Sequence, residues 1–320
     1  SGEMFRLIES YITDNFGEKG KFRFVIAPDD TPYACTCPSC TAIGNTEKNA
    51  TPAVTELILR LSQRFPRHFF FTTSYLTTQQ VTDKQLPPNA GVIVSAINFP
   101  LRRIDGKDAK EKAFAGQLEQ WKNVTKNIYI WDYINNFDDY LTPMPILKIA
   151  RQRLQFFKQH GASGIFFNGS GYSYSSFDEM RTFVLSALLI NPELSVDNLT
   201  ASFFNQEYPA AKKWLYDYYT DLENGTQSGK RLGIYAGIRE SEKAYLTPEK
   251  FIKFYDEMND FVSNAKGKER KKLHELQTAL SYTRMEMGRE HSFDAYGYAK
   301  RNGKSLQPIP QVQEWLTQLK

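Results

Sequence analysis

Carboxylates follow two apolar segments of the chain, at positions where a buried strand gives way to a loop. Asp29 and Asp30 come directly after the segment 22–27, which has the β-branched and aromatic content of a strand and is stopped by a proline. Asp132 lies near the end of a second such segment, 127–133. Hydrolysis of a glycoside requires an acid beside the glycosidic oxygen and usually a second carboxylate, so these three aspartates are the candidate catalytic residues. The alternative is that Asp29 and Asp30 only initiate a turn.

The only three cysteines of the chain follow closely, as Cys35, Cys37 and Cys40. A Cys-x-Cys-x-x-Cys sequence with a later histidine can form a tetrahedral Zn²⁺ site, and His68 is the candidate fourth ligand. The tRNA-guanine transglycosylases have a similar arrangement, but their other motifs are not evident here, and we treat the likeness as convergent. One disulfide with a free thiol, or three reduced thiols packed in a loop, are the alternatives, although an odd cysteine count fits a disulfide framework poorly. We therefore predict no required cofactor and one candidate, a structural zinc ion.

Aromatic, amide and arginine side chains end the other predicted strands or follow them. Aromatic rings can stack on the C–H faces of a sugar, and arginine can bind a uronate carboxylate through two hydrogen bonds. Any parallel barrel must end its strands with something polar, which is the simpler interpretation. The candidate substrate-binding residues are Tyr75, Asn98, Arg102, Trp131, Tyr133, Asn168 and Tyr172.

Strands and helices are predicted to alternate over the first part of the chain. The predicted strands are 22–27, 68–75, 91–98, 127–133 and 164–168. Such alternation predicts a parallel sheet with helical crossovers, and no glycine-rich nucleotide motif follows any strand. We therefore predict an α/β fold of the (β/α)8 TIM-barrel type, either complete or partial, with about five βα units visible in the sequence.

From residue 195 onward the apolar pattern is helical. We predict two domains, a barrel-like domain over 1–194 and a C-terminal helical domain over 195–320. The tail after Gly303 is predicted as a loop that ends in a short helix.

Composition excludes several classes of function. The chain is 41% hydrophobic and 24% charged, and its net charge of +4 is too small to argue for a nucleic-acid partner. No apolar run approaches the roughly 20 residues that cross a bilayer, so we predict no membrane span. No signal peptide is visible, and a leader that has been removed stays possible.

Several short motifs in a fixed order resemble an uncharacterised bacterial family. The likeness extends from about Phe5 to Tyr219. Its motifs are the Cys35-x-Cys37-x-x-Cys40 cluster, Gln120-Trp121, Ile128-Tyr-Ile-Trp-Asp-Tyr133, Leu141-Thr-Pro-Met-Pro145, Gly161-Ala-Ser-Gly-Ile-Phe-Phe167 and Phe203-Phe-Asn-Gln-Glu-Tyr-Pro-Ala-Ala211. The family is a domain of unknown function related to glycoside hydrolase barrels of the α-glucuronidase and β-hexosaminidase kind.

The resemblance implies a barrel followed by a helical domain, in a secreted or periplasmic protein that acts on or binds an oligosaccharide or polysaccharide. In related hydrolases the acid ends the fourth strand, a position that Asp29 and Asp30 match. The Asp-Glu pair of the hexosaminidases is missing. Relatives carry earlier barrel strands, whereas this sequence begins with a helix, so we expect either the later part of a barrel or an unusual barrel. A non-catalytic carbohydrate-binding or scaffold module is the alternative function, and a zinc-dependent barrel that modifies nucleic acid is a third hypothesis.

Overall fold

The structure, a computed structural model, describes residues 2–169 and 175–319. The strands in these ranges are β1 (Arg23–Val25), β2 (Phe69–Ser74), β3 (Ala90–Ser95), β4 (Ile128–Tyr133), β5 (Gly164–Asn168), β6 (Ala299–Asn302) and β7 (Ser305–Pro308). The α-helices are α1 (Gly2–Phe16), α2 (Pro38–Ile43), α3 (Thr51–Arg64), α4 (Ala109–Lys122), α5 (Leu147–Gln159), α6 (Asp178–Ile190), α7 (Val196–Glu207), α8 (Lys212–Thr226), α9 (Ile238–Ala244), α10 (Pro248–Asn264), α11 (Gly267–His291) and α12 (Gln311–Gln318).

The main sheet has five strands in the order β1-β2-β3-β4-β5 and forms a parallel, curled half-barrel. Residue pairs such as Phe24↔Phe70, Thr72↔Val92 and Ser95↔Trp131 fix the register of the first four strands. The predicted α/β fold with helical crossovers is thus confirmed, as are the C-terminal helices. A closed eight-stranded barrel is not formed within the described ranges, so the barrel is confirmed only in its partial form.

The chain folds as two compact units. Unit 1 comprises Ser1–Pro100, Gly106–Asp132 and Phe156–Phe167, and unit 2 comprises Leu101–Asp105, Tyr133–Gln155 and Asn168–Lys320. Each unit is assembled from three segments that are separated in the sequence. The predicted domain boundary between residues 194 and 195 stays a prediction.

In unit 1, helices cover one face of the sheet. Side chains of a strand point alternately to its two faces, so Ile128 and Ile130 lie on the same side of β4, and both are fully buried. Their face includes Phe70, which packs in a core cluster with Ile58 and Leu61 of α3. Helix α4 joins this face through Trp121, whose Nε1 donates to Ser74 Oγ at 3.3 Å.

The opposite face of the sheet in unit 1, here called the open face, stays partly accessible to solvent. Val25 of β1 and Phe166 of β5 are 52% and 53% exposed. In its middle, the rings of Phe71 and Tyr129 meet edge to face at 5.1 Å, although their strands are separated by β3. Gly91 of β3 permits this, because a Cβ there would lie 2.7 Å from Phe71 Cε1 and 2.3 Å from the carbonyl oxygen of Asn127.

Unit 2 is built mainly from helices that pack through aromatic side chains. Phe254 of α10 stacks on Trp214 and Tyr218 of α8, with ring centroids 4.2 and 3.6 Å apart. Helix α11 ends near a two-stranded antiparallel hairpin formed by β6 and β7. The tail prediction was therefore incomplete, because Gly303, with φ +61°, turns the chain inside this hairpin. None of the helices in the described ranges combines the length and the apolar character that a membrane span requires.

Candidate functional site

The candidate acids Asp29 and Asp30 lie in unit 1, in the loop that follows β1. Both side chains are exposed, and the carbonyl oxygen of Asp29 accepts a hydrogen bond from the backbone N–H of Thr31 at 2.8 Å. The loop follows the carboxyl end of a parallel strand, where barrel enzymes keep their catalytic groups. The two carboxylates are thus accessible to a substrate.

Asp132 and Trp131 are neighbours on β4 but belong to opposite faces of the sheet. Asp132 follows the buried residues Ile128 and Ile130 at two-residue spacing, and it is 0% exposed. Trp131 is half-buried on the open face, where its ring contacts Phe166 edge to face at 4.9 Å. The predicted binding residue Trp131 therefore lies on the partly accessible open face. Asp132 is buried on the opposite face, which the helices cover.

Two more predicted binding residues of unit 1 lie after the strands β2 and β3. Tyr75 is half-buried after β2, and its carbonyl oxygen accepts hydrogen bonds from the backbone N–H and the hydroxyl of Thr78 at 3.0 and 2.9 Å. Asn98 is exposed in the loop after β3. Parallel pairing places the ends of these strands at the same edge of the sheet as the end of β4.

The remaining predicted binding residues belong to unit 2. Arg102 Nη1 lies 3.7 Å from Asp105 Oδ2, and the Tyr133 ring contacts Phe137 at 6.0 Å. Asn168 is half-buried, and its carbonyl oxygen accepts the N–H of Ile134 at 3.0 Å. Tyr172 lies outside the described residues. The candidate residues therefore fall in both units, and their roles stay predictions.

Cys35, Cys37 and Cys40 form a compact cluster in unit 1. Their three sulfur atoms all lie within 4.8 Å of one another, and Cys35 and Cys37 are exposed whereas Cys40 is buried. The backbone N–H of Cys40, followed by the thiol of Cys35, lowers the pKa of Cys37. Burial raises the pKa of Cys40 to about 11, and the other two thiols add to the effect. The cluster has the spacing and softness of a metal site, so the three cysteines form a compact group that could bind a metal ion.

A buried asparagine holds the cysteine loop in shape. Asn45 is 4% exposed, and its side chain donates to the carbonyl oxygen of Cys35 at 3.1 Å and accepts the N–H of Ala53 at 3.0 Å. Its backbone N–H donates to the carbonyl oxygen of Cys40 at 3.0 Å. One residue thus ties both ends of the cluster to the first turn of α3. Sequence reasoning missed this residue.

His68 is not part of the cluster of sulfur atoms. It is 0% exposed, its Nε2 lies 2.7 Å from the carbonyl oxygen of Gly17, and its Nδ1 lies 3.5 Å from the N–H of Phe22. The rings of Phe22, Phe24 and Phe65 pack around it at 5.5–5.6 Å. Its role as a fourth ligand stays a prediction, and the structure shows it bridging two backbone segments.

A cavity in unit 2 was also missed by sequence reasoning. It encloses about 370 Å³, and its polar and aromatic lining includes Asn136, Arg231, Tyr235, Glu240, Ser241 and Tyr245. Its residues come from two stretches, 136–144 and 231–245, that are about 90 positions apart in the sequence. No periodicity links these stretches, so no local pattern in the sequence predicts that they meet.

The floor of this cavity is fixed by hydrogen bonds. Asn136 is buried, and its side chain donates to the carbonyl oxygen of Ala236 at 2.7 Å and accepts the N–H of the same residue at 3.1 Å. The N–H of Phe137 donates to the carbonyl oxygen of Ile234 at 2.7 Å. Burial raises the pKa of Tyr245, so its hydroxyl stays protonated at neutral pH and donates to Ser241 Oγ at 3.3 Å.

Fold and site together define an α/β protein with a curled parallel half-barrel, a three-cysteine cluster and a helical C-terminal region. The model of one family, described as a domain of unknown function (DUF4838), matches residues 2–221, and the chain belongs to this family. The family membership expected from the sequence motifs is thereby confirmed. A search among curated proteins found no match.

Proposed function

We propose that the protein binds oligosaccharide chains, as a member of the glycoside hydrolase-like proteins. The observation that supports this proposal best is the cavity of unit 2, with its two tyrosines and its rigid floor. Its volume of about 370 Å³ lies within the range of pockets that hold small ligands. The relation to glycoside hydrolases rests on the motif resemblance alone.

The lining of the cavity suits a sugar ring. Tyr235 is 63% exposed and contacts Phe137, with ring centroids 5.9 Å apart, so it offers a supported aromatic surface to C–H groups. Ser241, Arg231 and Glu240 provide hydroxyl, cationic and anionic groups for sugar hydroxyls or a uronate. Because hydrogen bonds already fix the surrounding loops, binding requires little ordering of the protein.

Titration with sugars tests this proposal. We expect one class among neutral hexoses, N-acetylhexosamines and uronic acids to raise the melting temperature, because a ligand that binds only the folded state stabilises it. Tyr235→Ala should weaken binding by about three- to tenfold through loss of the aromatic contact. Tyr11→Ala is the matched control, since Tyr11 is 60% exposed and also has one aromatic neighbour. Equal effects of the two variants, or no binding by any sugar, would contradict the proposal.

Hydrolysis is a separate part of the proposed function, and its candidate acids are Asp29 and Asp30 of unit 1. Asp29→Asn and Asp30→Asn should each be assayed for turnover, with Asp83→Asn as an exposed control carboxylate in the same unit. The assignment of Asp29 or Asp30 as the acid requires that at least one of the first two variants loses turnover and keeps binding. A non-catalytic module would show binding and no turnover in the unchanged protein. Asp132 can act as the second catalytic carboxylate only if its buried side chain becomes accessible to the substrate.

A structural Zn²⁺ ion at Cys35, Cys37 and Cys40 completes the proposal, together with a secreted or periplasmic location. Three mutually close sulfur atoms supply the soft ligands that zinc prefers. Metal analysis after exhaustive dialysis should find one zinc per chain, and a chelator should lower the melting temperature. Absence of metal after purification in zinc-containing buffer would exclude this part. Cell fractionation with the full-length gene product tests the location.

A further inference from the structure

Among the described residues, the cysteine cluster brings together three potential ligands and no fourth. Every Cys, His, Asp and Glu of the chain lies within residues 2–169 and 175–319. In these ranges the group of potential ligands around the cluster consists of Cys35, Cys37 and Cys40 alone. No carboxylate or imidazole in these ranges therefore has a ligand atom within 4.8 Å of all three sulfur atoms.

His68 is held away from this role by its own contacts. Both ring nitrogens face backbone groups, Gly17 on one side and Phe22 on the other. The ring is fully buried among three phenylalanines. To ligate a metal, His68 would have to leave this packing and abandon at least the 2.7 Å contact with Gly17.

The cluster faces solvent on one side. Cys35 and Cys37 are exposed, and Cys40 of α2 is the buried member. Structural zinc sites usually have four protein ligands, whereas sites with three protein ligands keep one position for water or another molecule. Exposure of two ligands out of three is what an accessible fourth position requires.

We propose that Cys35, Cys37 and Cys40 bind one zinc-like divalent cation through three thiolates and leave its fourth position to water or a small external donor. This inference rests on the proposed zinc site and specifies its coordination. Each thiol loses its proton on binding, so three protons are released and the three thiolates with the cation carry a net charge of −1. The external donor is a nitrogen or sulfur ligand of the imidazole or thiolate class, which suits a soft thiolate-bound metal.

Cobalt substitution tests the fourth position directly. The whole chain, freed of metal by a chelator, is titrated with Co²⁺, and the thiolate-to-metal and ligand-field absorption bands are recorded. We expect saturation at one equivalent and a further, saturable change of the bands when imidazole is added, because imidazole replaces water. Absorption bands that do not change when imidazole is added would show four protein ligands and overturn the inference. A chain that binds no Co²⁺ or Zn²⁺ would instead remove the zinc proposal itself.

Variants identify the ligands independently. Cys35→Ser, Cys37→Ser and Cys40→Ser should each reduce metal affinity by more than about 100-fold, since even outer contacts of metal sites contribute 10- to 100-fold. His68→Gln should leave the Co²⁺ bands and the affinity unchanged. A loss of either in His68→Gln that has kept its fold would assign the fourth position to His68. If this variant does not fold, the imidazole titration of the unchanged protein still decides the question.

Discussion

At the scale of single residues, Glu223 shows how a buried carboxylate can organise unit 2. It is 2% exposed, and its two oxygens accept the backbone N–H groups of Leu147 and Lys148 at 2.8 and 3.0 Å. These groups open helix α5, where the first N–H donors have no partner within the helix. Burial raises the pKa of Glu223, so the charged form carries a cost that the two hydrogen bonds only partly offset.

Replacement of Glu223 should therefore affect stability in a pH-dependent way. Glu223→Ala leaves two buried N–H groups without an acceptor and should cost about 2–4 kcal/mol in the free energy of unfolding. The pKa of Glu223 is higher in the folded than in the unfolded chain, so its protonated form favours the folded state. Its contribution to the free energy of unfolding is therefore complete at pH values below the ordinary carboxyl pKa and is lost as the pH rises through the raised pKa.

Urea unfolding of the unchanged protein and of Glu223→Gln, each at pH 4 and pH 7, measures this dependence. The difference in free energy of unfolding between the unchanged protein and Glu223→Gln should favour the unchanged protein more at pH 4 than at pH 7. A difference that grows with rising pH would contradict the raised pKa.

Asn45 carries two roles that a pair of substitutions can separate. Asn45→Ala removes both side-chain hydrogen bonds, and it should lower stability by about 1–2 kcal/mol because Ala53 in the first turn of α3 loses its acceptor. Asn45→Asp keeps that acceptor and loses only the donor to the carbonyl oxygen of Cys35. The Asp variant should also lose stability at neutral pH, because its buried carboxylate faces the carbonyl oxygen of Cys35. Both variants should bind Co²⁺ more weakly. Normal melting of Asn45→Ala would show that the contact with Ala53 is unimportant.

At the scale of elements, the five strands of the sheet and the helices between them follow from apolar periodicity. The predicted strand 127–133 and the observed β4 (Ile128–Tyr133) differ by one residue. All six side chains of β4 are fully or partly buried, so the apolar pattern defines the bounds of the strand closely. Helix α2 was missed, since six residues give no periodicity. The β6–β7 hairpin was missed too, although Gly303 at the first position of its two-residue turn fits a Gly-X hairpin.

Gly91 in β3 and Gly116 in α4 should respond in opposite ways to the same substitution. Gly91→Ala places a Cβ 2.3 Å from the carbonyl oxygen of Asn127, and the strands must shift, at a cost of about 1–3 kcal/mol or more. Gly116→Ala meets nothing within 4 Å on an exposed helix face and should stabilise by about 0.5–1 kcal/mol. Thermal unfolding of both variants measures the contrast. A stable Gly91→Ala variant would show that the sheet is more adaptable than its contacts indicate.

At the scale of the whole molecule, sequence alone could indicate the strand ends but not the cavity of unit 2. Asp29, Asp30 and Trp131 were found because strand ends can be predicted locally. Asn136 and Tyr235 come together only through the path of the chain, and no short-range pattern records that path. The open face was not predicted, because the sequence indicated only a barrel with about five visible βα units.

Two compact units in one chain predict unfolding that is not a single two-state event. In scanning calorimetry we expect the calorimetric enthalpy to exceed the van't Hoff enthalpy. Gly91→Ala changes unit 1 and Glu223→Gln changes unit 2, so each should shift a different part of the transition. Equal enthalpies, with both variants shifting one common transition, would show that the chain unfolds as a single cooperative body.

The three-thiol cluster has a consequence for covalent association. A disulfide consumes two sulfur atoms, so oxidation within the cluster always leaves one thiol over. Since two of the three thiols are exposed, that remaining thiol can be one that reaches a second copy of the chain and cross-links it. A bound metal ion would hold all three sulfurs together and so act as a protecting group. Under air, metal-free protein should therefore accumulate dimers on non-reducing gels, whereas metal-loaded protein should stay a single band.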